Sequence, residues 1–266
     1  MTGKVVLITG ATDGLGRALA GAAVAAGATV LVHGRSDERI AATVAELGAG
    51  DRVRAYRADL ASLDEVRRLA DDVLAAEPRL DVLVNNAGIG SDVPGGGGRM
   101  ESADGHELRF AVNYLAGYAL TRRLLDLLHR SAPSRIVNVS SAGQMPIDFD
   151  DVMLHRRYDG VRAYCQSKLA QILFTLDLAE ELEGSGVTAT CLHPATYMPT
   201  KIVHSPISSI DQGVDATMRL VCDPALEGVS GRYFNGRVEA RADAQAYDAD
   251  ARRRLRELSE RLTARL

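Results

Sequence analysis

The chain has 266 residues, 46% of them apolar, with a formal net charge of -4 from 31 basic and 35 acidic side chains spread along its length. That is enough apolar material for one large core in a single domain spanning 1–266, and it leaves no basic field to draw in nucleic acid or an anionic membrane. Cys165, Cys191 and Cys222 lie far apart without a C-x-x-C or Cys/His cluster, which excludes a disulfide framework and a metal site, and no apolar run approaches the ~20 residues of a membrane span.

Short β-branched runs alternate with stretches of helical period, the pattern of βαβ units. Val5 to Ile8 is the first predicted strand, followed by a helix with Leu15, Leu19, Ala22 and Ala23 on one face and Gly27 at its end. Strands follow at Thr29 to Val32, Arg52 to Tyr56 and Val82 to Val84, with helices at Ile40 to Leu47 and Leu63 to Ala75 between them. A helix from about Ala111 to His129, a strand Arg135 to Val139, a helix Ala163 to Leu182 and a strand Val187 to Leu192 continue the series, and Arg232 to Phe234 makes a seventh strand. The expected fold class is α/β: a doubly wound parallel sheet of about seven strands with helices on both faces, a Rossmann fold. Gly90 to Gly98, Gln144 to Val161 and Pro194 to Ser209 show no period and read as loops, the last placed to form a lid.

The first strand runs into Thr9-Gly10-Ala11-Thr12-Asp13-Gly14-Leu15-Gly16. Glycines at a turn that opens a helix let backbone amides approach a pyrophosphate, and the helix N-terminus supplies positive potential. Gly10, Thr12, Asp13, Gly14, Leu15 and Gly16, with Arg17, are the expected phosphate contacts. The second strand ends in His33-Gly34-Arg35, where no carboxylate waits for an adenosine ribose. Arg35 and Arg17 suit a 2′-phosphate instead, so NADP(H) is the preferred cofactor, with NAD(H) left open. Asp59 and its neighbour Leu60 are assigned to the adenine end, with helix capping an equal alternative for Asp59.

Tyr164 and Lys168 are i and i+4 neighbours on one helix face, a spacing that sets an ammonium beside a phenol and is expected to favour its phenolate. Such a tyrosine can protonate a carbonyl or deprotonate an alcohol. Around it stand Ser140-Ser141 at the end of the fifth strand, Asn113 in the preceding helix, and Asn85-Asn86-Ala87-Gly88 closing the fourth strand.

With the glycine loop, these motifs resemble the short-chain dehydrogenase/reductase family over nearly the whole chain. The resemblance implies that Ser141 orients the substrate carbonyl, Tyr164 transfers the proton, Lys168 holds the nicotinamide ribose and Asn113 holds a water in the relay. It places Asn86, Ala87, Gly88, Pro194 and Thr196 against the cofactor. Asp104-Gly105-His106-Glu107-Leu108, His193-Pro194, Gly231 to Phe234 and Leu255 to Ser259 are similar to the retinol-dehydrogenase-like branch. Ala195 departs from a usual glycine, Thr200 falls one position late for the usual cofactor-contacting threonine, and Arg256 stands where many members have tryptophan.

The expected activity is hydride transfer between NADP(H) and a small-molecule carbonyl or secondary alcohol in the cytoplasm, with a homo-oligomer left open. A non-catalytic dinucleotide-binding regulator or scaffold, and an epimerase or dehydratase using the same site, are the alternatives. Met145, Pro146, Ile147, Phe149, Met153, Tyr197, Met198, Ile202 and Ile207 could line an apolar substrate pocket or cover the core. The six histidines show no metal spacing and read as surface or loop residues, and Leu255, Leu258 and Leu262 form the stripe of a docked C-terminal helix.

Overall fold

A computed structural model describes residues 1–91, 98–196, 198–199 and 207–264. Gly95 to Gly97 of the glycine run, and Tyr197, Thr200, Ile202, His204 and Pro206 of the expected lid, lie outside the described residues.

The strands β1 (Val5–Ile8), β2 (Thr29–Gly34), β3 (Val53–Arg57), β4 (Val82–Asn85), β5 (Ser134–Val139), β6 (Val187–His193), β7 (Arg232–Asn235) and β8 (Val238–Ala240) form one sheet in the order β3-β2-β1-β4-β5-β6-β7-β8. The first seven run parallel. The eighth, absent from the sequence reading, is antiparallel to β7 and pairs Asn235 with Val238. Asn235-Gly236 is a strong hairpin signal, and Gly236 takes a φ of +58°; a run of only three residues, none of them buried, hid the strand that follows.

Helices cover both faces, as expected for buried parallel strands. One layer of core joins Leu7, Leu31, Leu83 and Ile136 to α3 (Leu63–Ala76), α4 (Ala116–Arg130), α5 (Gly160–Glu181) and α7 (Ala249–Thr263). The other joins Val6, Val32, Val84 and Val137 to α1 (Gly14–Ala25) and α6 (Ile210–Cys222), with α2 (Asp37–Leu47) beside them. Side-chain caps start most of these helices: Ser36 on Arg39, Ser62 on Glu65 and Asp159 on Arg162, with a full capping box between Ser209 and Gln212 at α6. The α6 helix has no counterpart in the sequence reading.

The helix expected from Ala111 opens instead with a π-helical turn, Phe110–Leu115. The wider turn re-aims the Asn113 side chain, which accepts from Ile89 N at 2.8 Å and donates to Ser167 Oγ at 2.9 Å. At the C-terminus, Leu255 is buried as the stripe predicted, and Arg253 pairs with Glu257 on the exposed face. Arg256 reaches Asp177 on α5.

The order of strands reverses between β1 and β4, and the loops beyond their carboxyl ends form the crevice where open α/β sheets take ligands. Close packing there depends on Gly16. A Cβ at that position would lie 2.2 Å from Gly10 O and 2.5 Å from Asn86 Nδ2, and the backbone oxygen has nowhere to go. Gly16→Ala is expected to lower Tm by about 5–10 °C, the cost of overpacking a tight junction. A thermal melt that leaves Tm in place would show that α1 can shift without loss.

Candidate active site

At one end of the crevice the glycine loop is held from two sides. Thr9 Oγ1 accepts from the amides of Asn86 and Ala87, while Asn86 Nδ2 donates to Thr9 O at 2.8 Å. On the other side His33, taken from sequence for a surface or loop residue, is buried. Its Nδ1 accepts from Gly10 N at 3.1 Å, so Nε2 carries the proton and donates to Ala58 O at 3.1 Å. One neutral imidazole ties the loop to the strand end after β3. The signal that could have found it is a histidine inside an otherwise apolar strand.

The loop fits a dinucleotide diphosphate through its donor set. Gly10 and Gly14 have φ of +66° and +48°, Asp13 caps α1, and the first-turn amides of Leu15 and Gly16 have no intrahelical acceptor. Leu15 itself is buried against α6, a Cβ on Gly213 lying 3.2 Å from Leu15 Cδ1. Thr12 leans over Gly34, where a Cβ would meet Thr12 Cγ2 at 2.6 Å. Arg35 is exposed and engages no ion pair among the described residues. Arg17 is also exposed and makes a long 3.5 Å contact to Glu46.

Asp59 does not cap α3, which Ser62 does; its carboxylate closes a turn on Ala61 N at 2.9 Å. Leu60 is buried in the core layer. Asn85, left open between structure and contact, is buried and donates to Thr121 on α4 and Asn138 on β5, with Oδ1 unpaired.

At the other end, the four expected catalytic residues converge. A methyl group placed at Gly88 would lie 3.3 Å from Asn113 Oδ1 and 3.4 Å from Lys168 Nζ; one placed at Gly143 would lie 3.5 Å from Ser141 Oγ and 3.7 Å from Tyr164 Cε1. Lys168 Nζ donates to Val139 O at 2.9 Å and Gln171 Oε1 at 3.1 Å, which leaves one of its three N–H bonds for a ribose hydroxyl. Ser140 proves to be structural, its Oγ donating to Lys168 O at 2.7 Å. Ser141 is steadied through its carbonyl, which accepts from Tyr233 Oη at 3.2 Å and Gln144 Nε2 at 3.0 Å. Gln171, Tyr233 and Gln144 were not singled out as site residues: Tyr233 lies 92 positions from Ser141, whereas Gln171 and Gln144 stand three positions from Lys168 and Ser141, a spacing that could have found them.

Electrostatics differ from the expectation in one respect. Burial raises the Tyr164 phenol above its usual value, and the adjacent Ser141 hydroxyl only partly offsets this. The Lys168 ammonium does not lower it: its Nζ lies 5.8 Å from the ring centre, and burial pushes the amine itself down to about 8. The phenol is therefore held protonated at neutral pH. Pro194 and Thr196 follow β6, and Thr196 Oγ1 lies 3.0 Å from Nε2 of His193, a second histidine that is buried rather than exposed. Ile147, Phe149, Met153 and Met198 pack on the core, whereas Met145 and Ile207 are exposed. Among the described residues no helix is long and apolar enough to cross a membrane.

Burial lowers the His33 pKa from 6.5 to about 4. Between those values the unfolded chain takes up a proton that the folded chain refuses, so this contribution to stability is whole above pH 6.5 and falls by about 3 kcal/mol by pH 4. Urea midpoints should drop more steeply over that range in the parent than in His33→Asn. Parallel slopes would clear His33 of the effect.

The model of the short chain dehydrogenase family matches residues 4–208. Retinol dehydrogenase 14 of Mus musculus is 38% identical over 293 residues, spanning 98% of this chain and 86% of that protein. Retinol dehydrogenase 13 of Homo sapiens is 37% identical, with 98% and 84% covered. In three dimensions the chain is similar to the RhlG/NADP active-site complex of Pseudomonas aeruginosa, with a TM-score of 0.70, 25% identity, and 88% and 95% of the two chains covered. It is also similar in fold to a 3-ketoacyl-(acyl-carrier-protein) reductase of Brucella melitensis complexed with NADH, with a TM-score of 0.71, 24% identity, and 89% and 98% covered.

Proposed function

This chain belongs to the short chain dehydrogenase family, and from that premise we propose that it reduces a small-molecule carbonyl with NADPH, or oxidises the corresponding alcohol with NADP, using Tyr164 as general acid and base. The observation that carries the reading is the convergence of Ser141, Tyr164, Lys168 and Asn113 on the Gly88 and Gly143 backbones. The bound nicotinamide supplies or accepts the hydride, and the chain supplies geometry and the proton.

Ser141 Oγ donates a hydrogen bond to the substrate oxygen and fixes its direction. Tyr164, protonated at neutral pH, delivers its proton to that oxygen as charge develops on it. Lys168 directs its remaining N–H to the cofactor ribose, and the Ser141 hydroxyl is the neighbour that favours the phenolate once it forms. Asn113, drawn out by the π turn, connects this end of the crevice to the Ile89 backbone.

NADP(H) is proposed over NAD(H) on Arg35, an exposed guanidinium at the end of β2 with no ion pair among the described residues. Arg17 joins it because an exposed pair at 3.5 Å with Glu46 holds it only weakly. The chain is proposed to work in the cytoplasm, in keeping with three unpaired cysteines. The alcohol in the relatives' names puts primary alcohols and aldehydes beside ketones among the substrates to be screened.

Tyr164→Phe is expected to cut kcat by about 10²–10⁴-fold while NADPH binding, followed by fluorescence titration, is retained. Near-normal turnover in that variant would sink the proton-transfer role. Arg35→Ala should raise the KM for NADPH by about tenfold or more with the NADH value unchanged. If the parent's kcat/KM with NADH equals or exceeds that with NADPH, the cofactor assignment fails.

A further inference from the structure

Arg109 is the largest side chain in the described chain with no exposure at all, and nothing in the proton relay uses it. It stands just before the π turn that carries Asn113. Its Nε donates to Gly90 O at 2.9 Å and its Nη2 to Ser91 O; Nη1 donates to Tyr158 Oη and lies 3.5 Å from Glu107 Oε1. Glu107 is 1% exposed, accepts from Phe110 N at 2.7 Å and from Tyr158 Oη at 3.2 Å, and completes the set.

The partners belong to the two segments that bracket the crevice. Gly90 and Ser91 continue the strand-end run of Asn86, Ala87 and Gly88, with Asn113 bonded in both directions to Ile89 between them. Tyr158 immediately precedes Asp159, the N-cap of the helix that carries Tyr164 and Lys168. The two segments touch at Gly160, where a Cβ would lie 2.7 Å from Ser91 O and 3.4 Å from Arg109 Nη2.

A buried ion pair is a poor device for stability, because desolvation offsets most of the attraction. A planar fork with fixed donor directions is well suited to setting spacing. We propose that Arg109, oriented by Glu107, is a positioning residue that joins the Gly88–Ser91 segment to the start of α5 through Tyr158 and so fixes the distance between Gly88 and the Tyr164–Lys168 pair. This deepens the proposed carbonyl reduction and rests on it for its kinetic consequence.

Removing Arg109 outright strands a buried carboxylate, so the informative variants are Tyr158→Phe, which deletes one hydroxyl, and Arg109→Lys, which keeps charge but not the fork. Both are expected to lower kcat on the order of tenfold, since displacements well below 1 Å at a reacting centre are costly, with the substrate KM and the NADPH Kd unchanged. Amide exchange in the free protein should quicken in 88–91 and 158–164 together. Lowered Tm with kcat intact, or quickening confined to one segment, would overturn the proposal. Should the parent reduce no carbonyl, the proposed reaction fails on its own account, and exchange alone still decides whether Arg109 joins the two segments.

Discussion

An ammonium buried among neutral acceptors governs the layout of this site. Lys168 faces the Val139 carbonyl and the Gln171 amide oxygen, with burial as the sole resolved influence on its pKa. Held down to about 8, it costs the fold about 3 kcal/mol at neutral pH relative to a lysine in water. That cost is tolerable only where strand and helix are tightly joined. Here the joint is the end of β5, whose Ser140 hydroxyl and Val139 carbonyl both bond to the same residue on α5. The charge also reaches His193, which it helps burial to keep neutral. A carboxylate placed nearby would relieve the lysine, but it would also capture the N–H that is left for a ribose.

The layout also explains what could be read from the sequence. Glycines at 10, 14 and 16, the Tyr164–Lys168 spacing, Ser141 and Asn113 are local patterns that residue type and position make visible, and the structure brings them to one crevice. The parallel order was legible because βα alternation leaves few ways to cover both faces of a sheet. His33, Tyr233 and Arg109 escaped notice because their roles depend on partners 19 to 92 positions away. The π turn escaped for a different reason. Its apolar residues keep a helical period, and only the pull of Asn113 toward Ile89 and Ser167 favours the wider turn. The expected lowering of the tyrosine pKa failed because a spacing of four residues fixes which face two side chains share, not how much water reaches them.

The two ends of the crevice are stabilised by opposite means. Around Tyr164 the polar groups are buried and committed, so their geometry persists without a ligand. At the adenosine end they are exposed and loosely held: Arg17 lies 3.5 Å from Glu46, Arg39 lies 3.9 Å from Asp13, and Arg35 is exposed. Exposed pairs of this kind contribute roughly 0.2–1 kcal/mol. Pairs so weak would yield to a ligand at little cost, whereas no ligand of ordinary affinity could reorganise the buried set.

Between those ends lies the glycine loop, and its rigidity comes from a side chain that must stay neutral. With Nδ1 accepting from Gly10 and Nε2 donating to Ala58, His33 uses both of its nitrogens, and a second proton would turn the acceptor toward Gly10 into a competing donor. The loop then keeps its contacts through Thr9 and Asn86 and the backbone bond from Ala11 N to His33 O. The imidazole ring makes both contacts without rotatable bonds between its two nitrogens. A titratable residue thus sits in an apolar strand because its shape, rather than its acidity, matches the gap, and sensitivity to acid is the consequence.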